Sequence, residues 1–434
     1  MRVWIKRVNK NSDRRFQYTD ICWDTENMLS VLARRVVEQI QMKMTRPIGK
    51  ILAGLCFMGL IASCDSSKEN QLNVKHRESY HINPEVTTNG ISTAQYSVDS
   101  VCSLQVSDDI VEIRTSKIIA ANGRIYLLDA EITKKLYVFD SKGNLTATIG
   151  ERGRARNEFV GKPDDFFVDS KNRLHVFDKI GHKIIVYDGN GAFRDVIMTD
   201  AYYPHSIGLT GTDKYMMYFN VGQRDESVEG DVPSSLLLFD QDFKKYKKLM
   251  PSEGDLHCSV SQFTFFRDGE RLAYIPCFSD SVIVFKNDAV EKVVSFEFDA
   301  KVLSKDNPDL LRQQDYSFMS FYQGVLGLNR YQETDSFIYL DYIYMNQSRY
   351  WLYVKNSGQA FSGTKIFEGV APYSYYCTCG NQIVGYISKN TVESLKRLLD
   401  NEQFQENLRK SPGQIKDIIE GKIATPALIF ITIK

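Results

Sequence analysis

The sequence predicts an all-β fold, a six-bladed β-propeller of four-stranded antiparallel blades with a short helical insertion near the C-terminus. Three observations predict it. First, NGRIYLLDAEITKKLYVFDSKGNLTATIG (122–150) returns as KNRLHVFDKIGHKIIVYDGNGAFRDVIM (171–198). Asp129 matches Asp178, Asp140 matches Asp188 and Gly143 matches Gly191, a period of 48 to 49 residues. A repeat of that length holding three or four strands is the signature of a propeller blade. Second, short apolar runs alternate with turn residues along most of the chain, and few stretches have helical length or period. Third, the chain ends in PALIFITIK (426–434), a β-prone strand able to pair with AQYSVDSVCSLQV (94–106) and join the first and last blades without an open edge.

At 434 residues, with 43% hydrophobic and 12% aromatic content, the chain can bury a large core. Its net charge is zero, but residues 1–50 carry eleven Lys and Arg against five Asp and Glu, so the body is mildly acidic. A field of that sign repels phosphate backbones, and nucleic acid is not an expected partner.

The front of the chain divides into segments. Lys43, Arg46 and Lys50 precede the apolar run Ile51 to Ala62, which leads into Ile61-Ala62-Ser63-Cys64. This is the order of a secretory signal, and the run is too short for the roughly 20 residues a spanning helix needs. The motif resembles a bacterial lipoprotein signal with its lipobox, a resemblance that implies lipidation of Cys64. Secretory signals begin close to the initiating Met, so 42–64 is expected to be the signal and 1–41 an upstream extension misassigned to the protein. Residues 65–93 are polar and suit a flexible tether, and the propeller is expected over 94–434.

Each blade has a local rationale. In Arg173-Leu174-His175-Val176-Phe177-Asp178 the aromatic and β-branched residues favour a strand, and the closing Asp can accept from backbone N–H groups of the next turn. In Tyr187-Asp188-Gly189-Asn190-Gly191 the D-G and N-G pairs supply the positive φ a tight hairpin demands. Weaker copies follow at 234–249, 279–298, 337–358 and 373–390, making six units between about 108 and 434. DLLRQQDYSFMSFYQG (309–324) reads as a connector with one helical turn. VESLKRLLDNEQFQENLRK (392–410) reads as an amphipathic helix with Val392, Leu395, Leu398 and Leu399 on one stripe.

The patterns G-x-x-G-x-x-x-x-E-F, P-x-x-F-x-V-D, R-L-x-V-F-D and K-I-x-V-Y-D-x-x-G, read from 150 to 191, resemble NHL-type propeller repeats. Together with the lipobox and Ser279-Asp280-Ser281-Val282-Ile283-Val284-Phe285, the chain looks like the six-bladed β-propeller lipoproteins of Bacteroidetes. The resemblance implies an extracytoplasmic protein held on the outer membrane, at its periplasmic or surface face. In that pattern the 150–159 loop carries G-P-G where Ala155, Arg156 and Asn157 stand here, while Glu158 and Phe159 match, Phe159 as a plug between blades.

No catalytic constellation emerges. Gly150 and Gly153 are followed by neither a Gly-Lys pair nor a helix, which excludes a phosphate-cradling loop. His175 occupies a strand position equivalent to Tyr126, a packing or solvent-facing site rather than a catalytic one, and no G-x-S-x-G elbow accompanies any His. Cys102, Cys258, Cys277, Cys377 and Cys379 are an odd, scattered set without a disulfide framework, and the C-x-C at 377–379 lacks a second Cys pair or a nearby His to hold a metal. No cofactor and no metal are expected.

The expected function is therefore non-catalytic binding by a monomer, with a glycan, a peptide or an envelope protein as partner. The candidate contacts are Arg152, Arg154 and Arg156, whose plainer reading is a solvated loop face, with the aromatic-rich Tyr202, Tyr203 and His205. The alternative is a metal-dependent lactonase or lyase, with Asp164, Asp165, Asn172, Asp335 and Asp341 as possible ligands; the same residues are common turn formers.

Overall fold

The described chain opens with β1 (Arg77–Ile82) and β2 (Tyr96–Ser103), neither of which belongs to the first blade. The structure, a computed structural model, describes residues 74, 76–88, 90–106, 117–199, 204–219, 234–251, 263–312, 317–370 and 374–434. The expected extension (1–41), the signal with Cys64, and Tyr202, Tyr203 and Cys258 lie outside the described residues.

Six sheets follow one another along the chain. Blade one comprises β3 (Lys117–Ala121), β4 (Arg124–Asp129), β5 (Lys135–Asp140) and β6 (Leu145–Ile149). Blade two comprises β7 (Asp165–Val168), β8 (Arg173–Asp178), β9 (Lys183–Asp188) and β10 (Phe193–Met198). Blade three is β11 (Ser206–Leu209), β12 (Tyr215–Tyr218), β13 (Ser234–Phe239) and β14 (Tyr246–Pro251). Blade four is β15 (Phe265–Asp268), β16 (Arg271–Tyr274), β17 (Ser281–Lys286) and β18 (Ala289–Phe298). Blade five is β19 (Val325–Glu333), β20 (Phe337–Tyr344), β21 (Gln347–Val354) and β22 (Gln359–Gly363). Blade six takes β23 (Ser374–Cys379), β24 (Gln382–Ile387) and β25 (Ala427–Ile433) from the C-terminus and β2 from the N-terminus.

The closure is the expected one. β2 pairs antiparallel with β25, Tyr96 opposite Ile433 and Ser103 opposite Ala427, with a bulge between Val98 and Ser100. The first strands of successive blades, β3, β7, β11, β15, β19 and β23, neighbour one another in order, and β23 returns to β3. They form the ring around a central channel.

The repeat's aspartates act as turn caps. Asp140 Oδ1 accepts from the backbone N–H of Lys142 (2.8 Å) and Asn144 (2.9 Å), and its counterpart Asp188 accepts from Asn190 (2.9 Å) and Ala192 (3.0 Å). Gly143 and Gly191 supply the positive φ of 84° and 87° that closes each hairpin. The fully buried Asp129 and Asp178 cap the other turn, Asp129 accepting from Glu131 N and Ile132 N and Asp178 from Gly181 N. Asp178 also takes Val160 N at 2.8 Å, which pins the incoming 150–163 loop. Phe159 is fully buried between blades one and two, as the plug the sequence suggests.

Six apolar clusters fill the junctions between neighbouring blades, so the core is a ring of interfaces rather than one centre. Burying both sheet faces this way is the main stabilising contribution.

Two expectations are corrected. The polar 65–93 segment is not a tether throughout: from Arg77 to Ile82 it forms β1, a fifth strand running parallel to β18 on blade four, and Ile91 bridges to Phe367. Only one face of β1 is covered, so its apolar residues, Tyr80 and Ile82, are too few to show a period. The helix expected over 392–410 is instead α1 (Lys389–Lys396) and α2 (Glu402–Arg409), followed by α3 (Gly413–Ile419), all between β24 and β25. Asn401 accepts from Phe404 N at 2.9 Å and starts a new helix inside the apparent stripe, which leaves Leu398 45% exposed while Val392 and Leu395 are buried. No described helix is long and apolar enough to cross a membrane.

Candidate functional site

The inner strands enclose a cavity of about 510 Å³ along the channel, from Lys117 and Phe263 to the turns after β3, β7, β11, β15 and β23. Each blade contributes the strand that faces no outer neighbour, so single side chains on these strands decide the chemistry of the space.

At the Lys117 end, the ammonium meets Asp165 Oδ1 of blade two at 2.7 Å and stands 5.4 and 5.3 Å from the ring centres of Phe166 and Phe263. Asp165 Oδ2 accepts from Ser206 Oγ and Ile207 N of blade three, both at 3.4 Å, and Ser206 Oγ accepts from Thr264 N. A polar chain thus ties four consecutive blades, and its charges are matched.

Two guanidiniums further along make no hydrogen bond to a carboxylate among the described residues. Arg267 of β15 donates Nε–H to Gly269 O at 2.9 Å and Nη1–H to Val168 O at 3.0 Å, so it reaches from blade four to blade two. Burial lowers its pKa, and the fields of Asp213 and Asp169 oppose that shift. Arg330 of β19 donates to Tyr375 O of blade six and lies over the Tyr376 ring, 4.7 Å from its centre, a cation–π contact. Near Arg330, Asp341 is buried and accepts from Asn329 Nδ2 at 3.0 Å; burial pushes its carboxyl up to about 6 against the Arg330 charge and that hydrogen bond. Gln332, 6% exposed on the cavity wall, has no hydrogen-bond partner for either side-chain amide atom. Leaving a buried polar group unpaired costs about 1–3 kcal/mol, which a ligand can recover.

Two acids of the wall, Asp169 and Glu333, are engaged. Asp169 binds Arg173 Nε at 2.7 Å and His175 Nε2 at 3.2 Å, and His175 Nδ1 meets Tyr215 OH at 3.0 Å. Both ring nitrogens of His175 are committed and its ring stacks on Phe167 with centres 5.2 Å apart, a packing role, which is one of the two its strand position allows. Glu333 binds Lys292 (2.7 Å), Lys355 (2.8 Å) and Tyr331 OH (2.7 Å). Cys377 and Cys379 line the cavity as free thiols, and burial raises both, Cys377 to about 12, so neither is a thiolate near neutral pH.

The metal alternative finds no centre among the described residues, where no three His, Cys, Asp or Glu side chains group as metal ligands. Its candidates serve elsewhere: Asp164 accepts from Lys179 N at 2.9 Å, Asp165 pairs with Lys117, and Asn172 takes a positive φ of 60° and meets Asn122 and Tyr126. Asp335 lies in the turn between β19 and β20, and Asp341 binds Asn329.

The described candidate contacts from the sequence, Arg152, Arg154, Arg156 and His205, are not among the residues that line the cavity. Arg152, Arg154 and Arg156 are exposed on the loop between blades one and two, and Arg156 reaches Asp195 at 3.4 Å with both side chains largely in water. His205 sits edge-on to Tyr218, with ring centres 5.6 Å apart, ahead of β11. Sequence reasoning missed Arg267, Arg330 and Gln332. The available signal was a long polar side chain inside an inner strand, in Phe265-Phe266-Arg267-Asp268 and Leu328-Asn329-Arg330-Tyr331-Gln332.

Comparison with one solved structure supports the fold. A "Putative exported protein" from Bacteroides fragilis aligns with 83% of this chain and 100% of its own, at a TM-score of 0.64 and 17% identity. A member of the DUF4221 family from Bacteroides vulgatus aligns with 78% of this chain and 97% of its own at TM-score 0.40 and 9% identity. Virginiamycin B lyase from Staphylococcus aureus aligns with 68% and 86% at TM-score 0.35 and 10% identity. No curated protein matches the chain. A family defined as a domain of unknown function, DUF4934, matches residues 104–418, most of the propeller, and the chain belongs to that family.

Proposed function

We propose that the protein is an extracytoplasmic lipoprotein, anchored through Cys64 to the outer membrane, whose propeller binds a ligand in its channel without catalysis. The lipobox at 61–64 supports the anchor, and the name of the Bacteroides fragilis neighbour is in keeping with an exported chain. One observation carries the binding reading: a 510 Å³ cavity whose wall holds Arg267, Arg330 and the unpartnered Gln332, while its thiols are protonated and Asp169 and Glu333 are committed to ion pairs. Such a wall can hold a molecule and offers no activated nucleophile or base to transform it.

The test is native mass spectrometry of the protein extracted from its own membrane, beside Ser170→Trp. Ser170 is exposed and lines the mouth, so a Trp there obstructs entry without disturbing the core. A mass adduct on the wild type that the variant lacks supports the reading; an adduct equally present on both refutes it. Palmitate labelling that Cys64→Ser abolishes tests the anchor.

A further inference from the structure

We infer that the channel ligand is a small organic carboxylate with a flat apolar body, its carboxylate held by Arg267 and Arg330. The inference rests on the channel-binding reading and names the chemistry of that site. Among the described residues Lys117 pairs with Asp165, and Arg271 pairs with Glu291 through two contacts of 2.8 and 3.2 Å. Arg267 and Arg330 instead donate only to backbone carbonyls, and both line the cavity. A guanidinium carries five N–H donors in a fixed fork that matches a carboxylate, so both residues keep donors to spare.

Each guanidinium has carboxylates in its field, Asp341 for Arg330 and Asp213 with Asp169 for Arg267, but among the described residues it donates no hydrogen bond to them. Asp169 and Glu333 are matched by Arg173 and by Lys292 with Lys355. Asp268 and Glu270 belong to the turn at the mouth, and Arg271 beside them is already paired with Glu291.

Gln332 is an independent pointer. It is 94% buried and both its amide atoms lack partners and are closed to solvent, so the side chain must turn toward the cavity before a guest can satisfy it. Its N–H₂ can join the guanidiniums on the carboxylate. Phe263, Phe265, Phe266 and Tyr376 line the same space and favour a flat apolar body over a fully hydrated anion. Inorganic phosphate meets few donors here and much apolar wall, and is disfavoured.

The experiment is calorimetric titration of the full-length protein in detergent with phenylacetate, phenylacetamide and inorganic phosphate as probes. The expected result is phenylacetate at least tenfold tighter than phenylacetamide, with phosphate weaker still, and a preference that collapses in Arg330→Gln. Arg330→Lys is expected to keep part of it. Arg267→Gln is a second variant, scored only if its circular dichroism matches the wild type; Arg330→Gln carries the test otherwise.

Equal affinity for acid and amide overturns the inference and leaves channel binding standing, provided Ser170→Trp weakens both. Phosphate binding tightest, or no binding of either aromatic probe, also overturns it. Phenylacetate binding that Ser170→Trp leaves unchanged places that ligand outside the channel and counts against both readings.

Discussion

Arg267 Nη1 donates to Val168 O at 3.0 Å, a bond from the inner strand of blade four to that of blade two, past the blade between them. Inner strands of a propeller ordinarily contact only their ring neighbours, so this contact crosses the channel. It makes the cavity wall part of the ring's own bonding, and it holds a buried cation where a ligand can reach it. Arg267→Ala is expected to destabilise the protein by about 1–3 kcal/mol, the cost of a hydrogen bond from a charged donor and an orphaned carbonyl. Urea denaturation checks this; an unchanged midpoint would show that the bond adds nothing.

Asp341 gives a stability change with a defined pH window. Its folded-state pKa is raised to about 6, chiefly by burial, so near pH 5 the folded chain holds a proton that the unfolded chain has released. Stability therefore falls as pH rises from about 4, the unfolded value, to about 6, and the penalty is constant above that. Asp341→Asn removes the titration. The variant is expected to gain roughly 2–3 kcal/mol at pH 7 and to match the wild type at pH 4. Thermal melts of both proteins at the two pH values test the difference, and a variant no more stable than the wild type at pH 7 contradicts it.

Glu333 shows the opposite sign. Burial raises its pKa, but hydrogen bonds from Lys292, Lys355 and Tyr331 outweigh burial and hold it below the usual value. Its contribution is complete above the unfolded pKa of about 4.3 and is lost as pH falls through the lower folded value. Lys292 also binds both carboxylate oxygens of Glu78 in β1, at 3.0 and 3.1 Å, so the network fastens the added strand to blade four. Glu333→Gln leaves two ammonium groups around an uncharged side chain and is expected to cost about 3–5 kcal/mol. Hydrogen exchange in the variant should rise first in 77–82; uniform exchange across β1 and the blades would deny the fastening role.

The closure strand carries a further prediction. Ile429 lies fully buried in β25 opposite Val101 of β2. Ile429→Ala removes packing from the sheet that joins the two chain ends and is expected to cost about 2–5 kcal/mol. Chemical denaturation of the variant measures the loss, and a change under about 1 kcal/mol would mean that the ring does not depend on this seam.

The fold was legible because its signals are local. An Asp that caps a turn must stand at a fixed distance from the Gly that closes the hairpin, so Asp140 with Gly143 and Asp188 with Gly191 write the blade period into the chain. PALIFITIK was legible because β25 lies inside its sheet between β24 and β2 and reads as a continuous apolar run. β1 was not, since one covered face leaves only Tyr80 and Ile82 as apolar marks. The helix break was hidden because the Asn401 cap falls within a stretch that keeps helical spacing on both sides. The cavity residues were illegible for a different reason. Arg267, Arg330 and Gln332 come to line one cavity through ring closure between blades about sixty residues apart, and no spacing along the chain encodes that placement. The glycine-and-arginine loop at 150–156 drew notice through composition, yet its side chains point into water beside the turn that Glu158 builds on Ala155 N.

The central claim is that the channel is the binding site, and the most direct measurement is the crystal structure of the wild-type protein purified from its native membrane. The account predicts ligand density between Arg267 and Arg330, with the Gln332 amide turned onto it. A ligand seated on the 150–156 loop or on an outer blade face, with the Arg267 and Arg330 contacts unchanged, would contradict it.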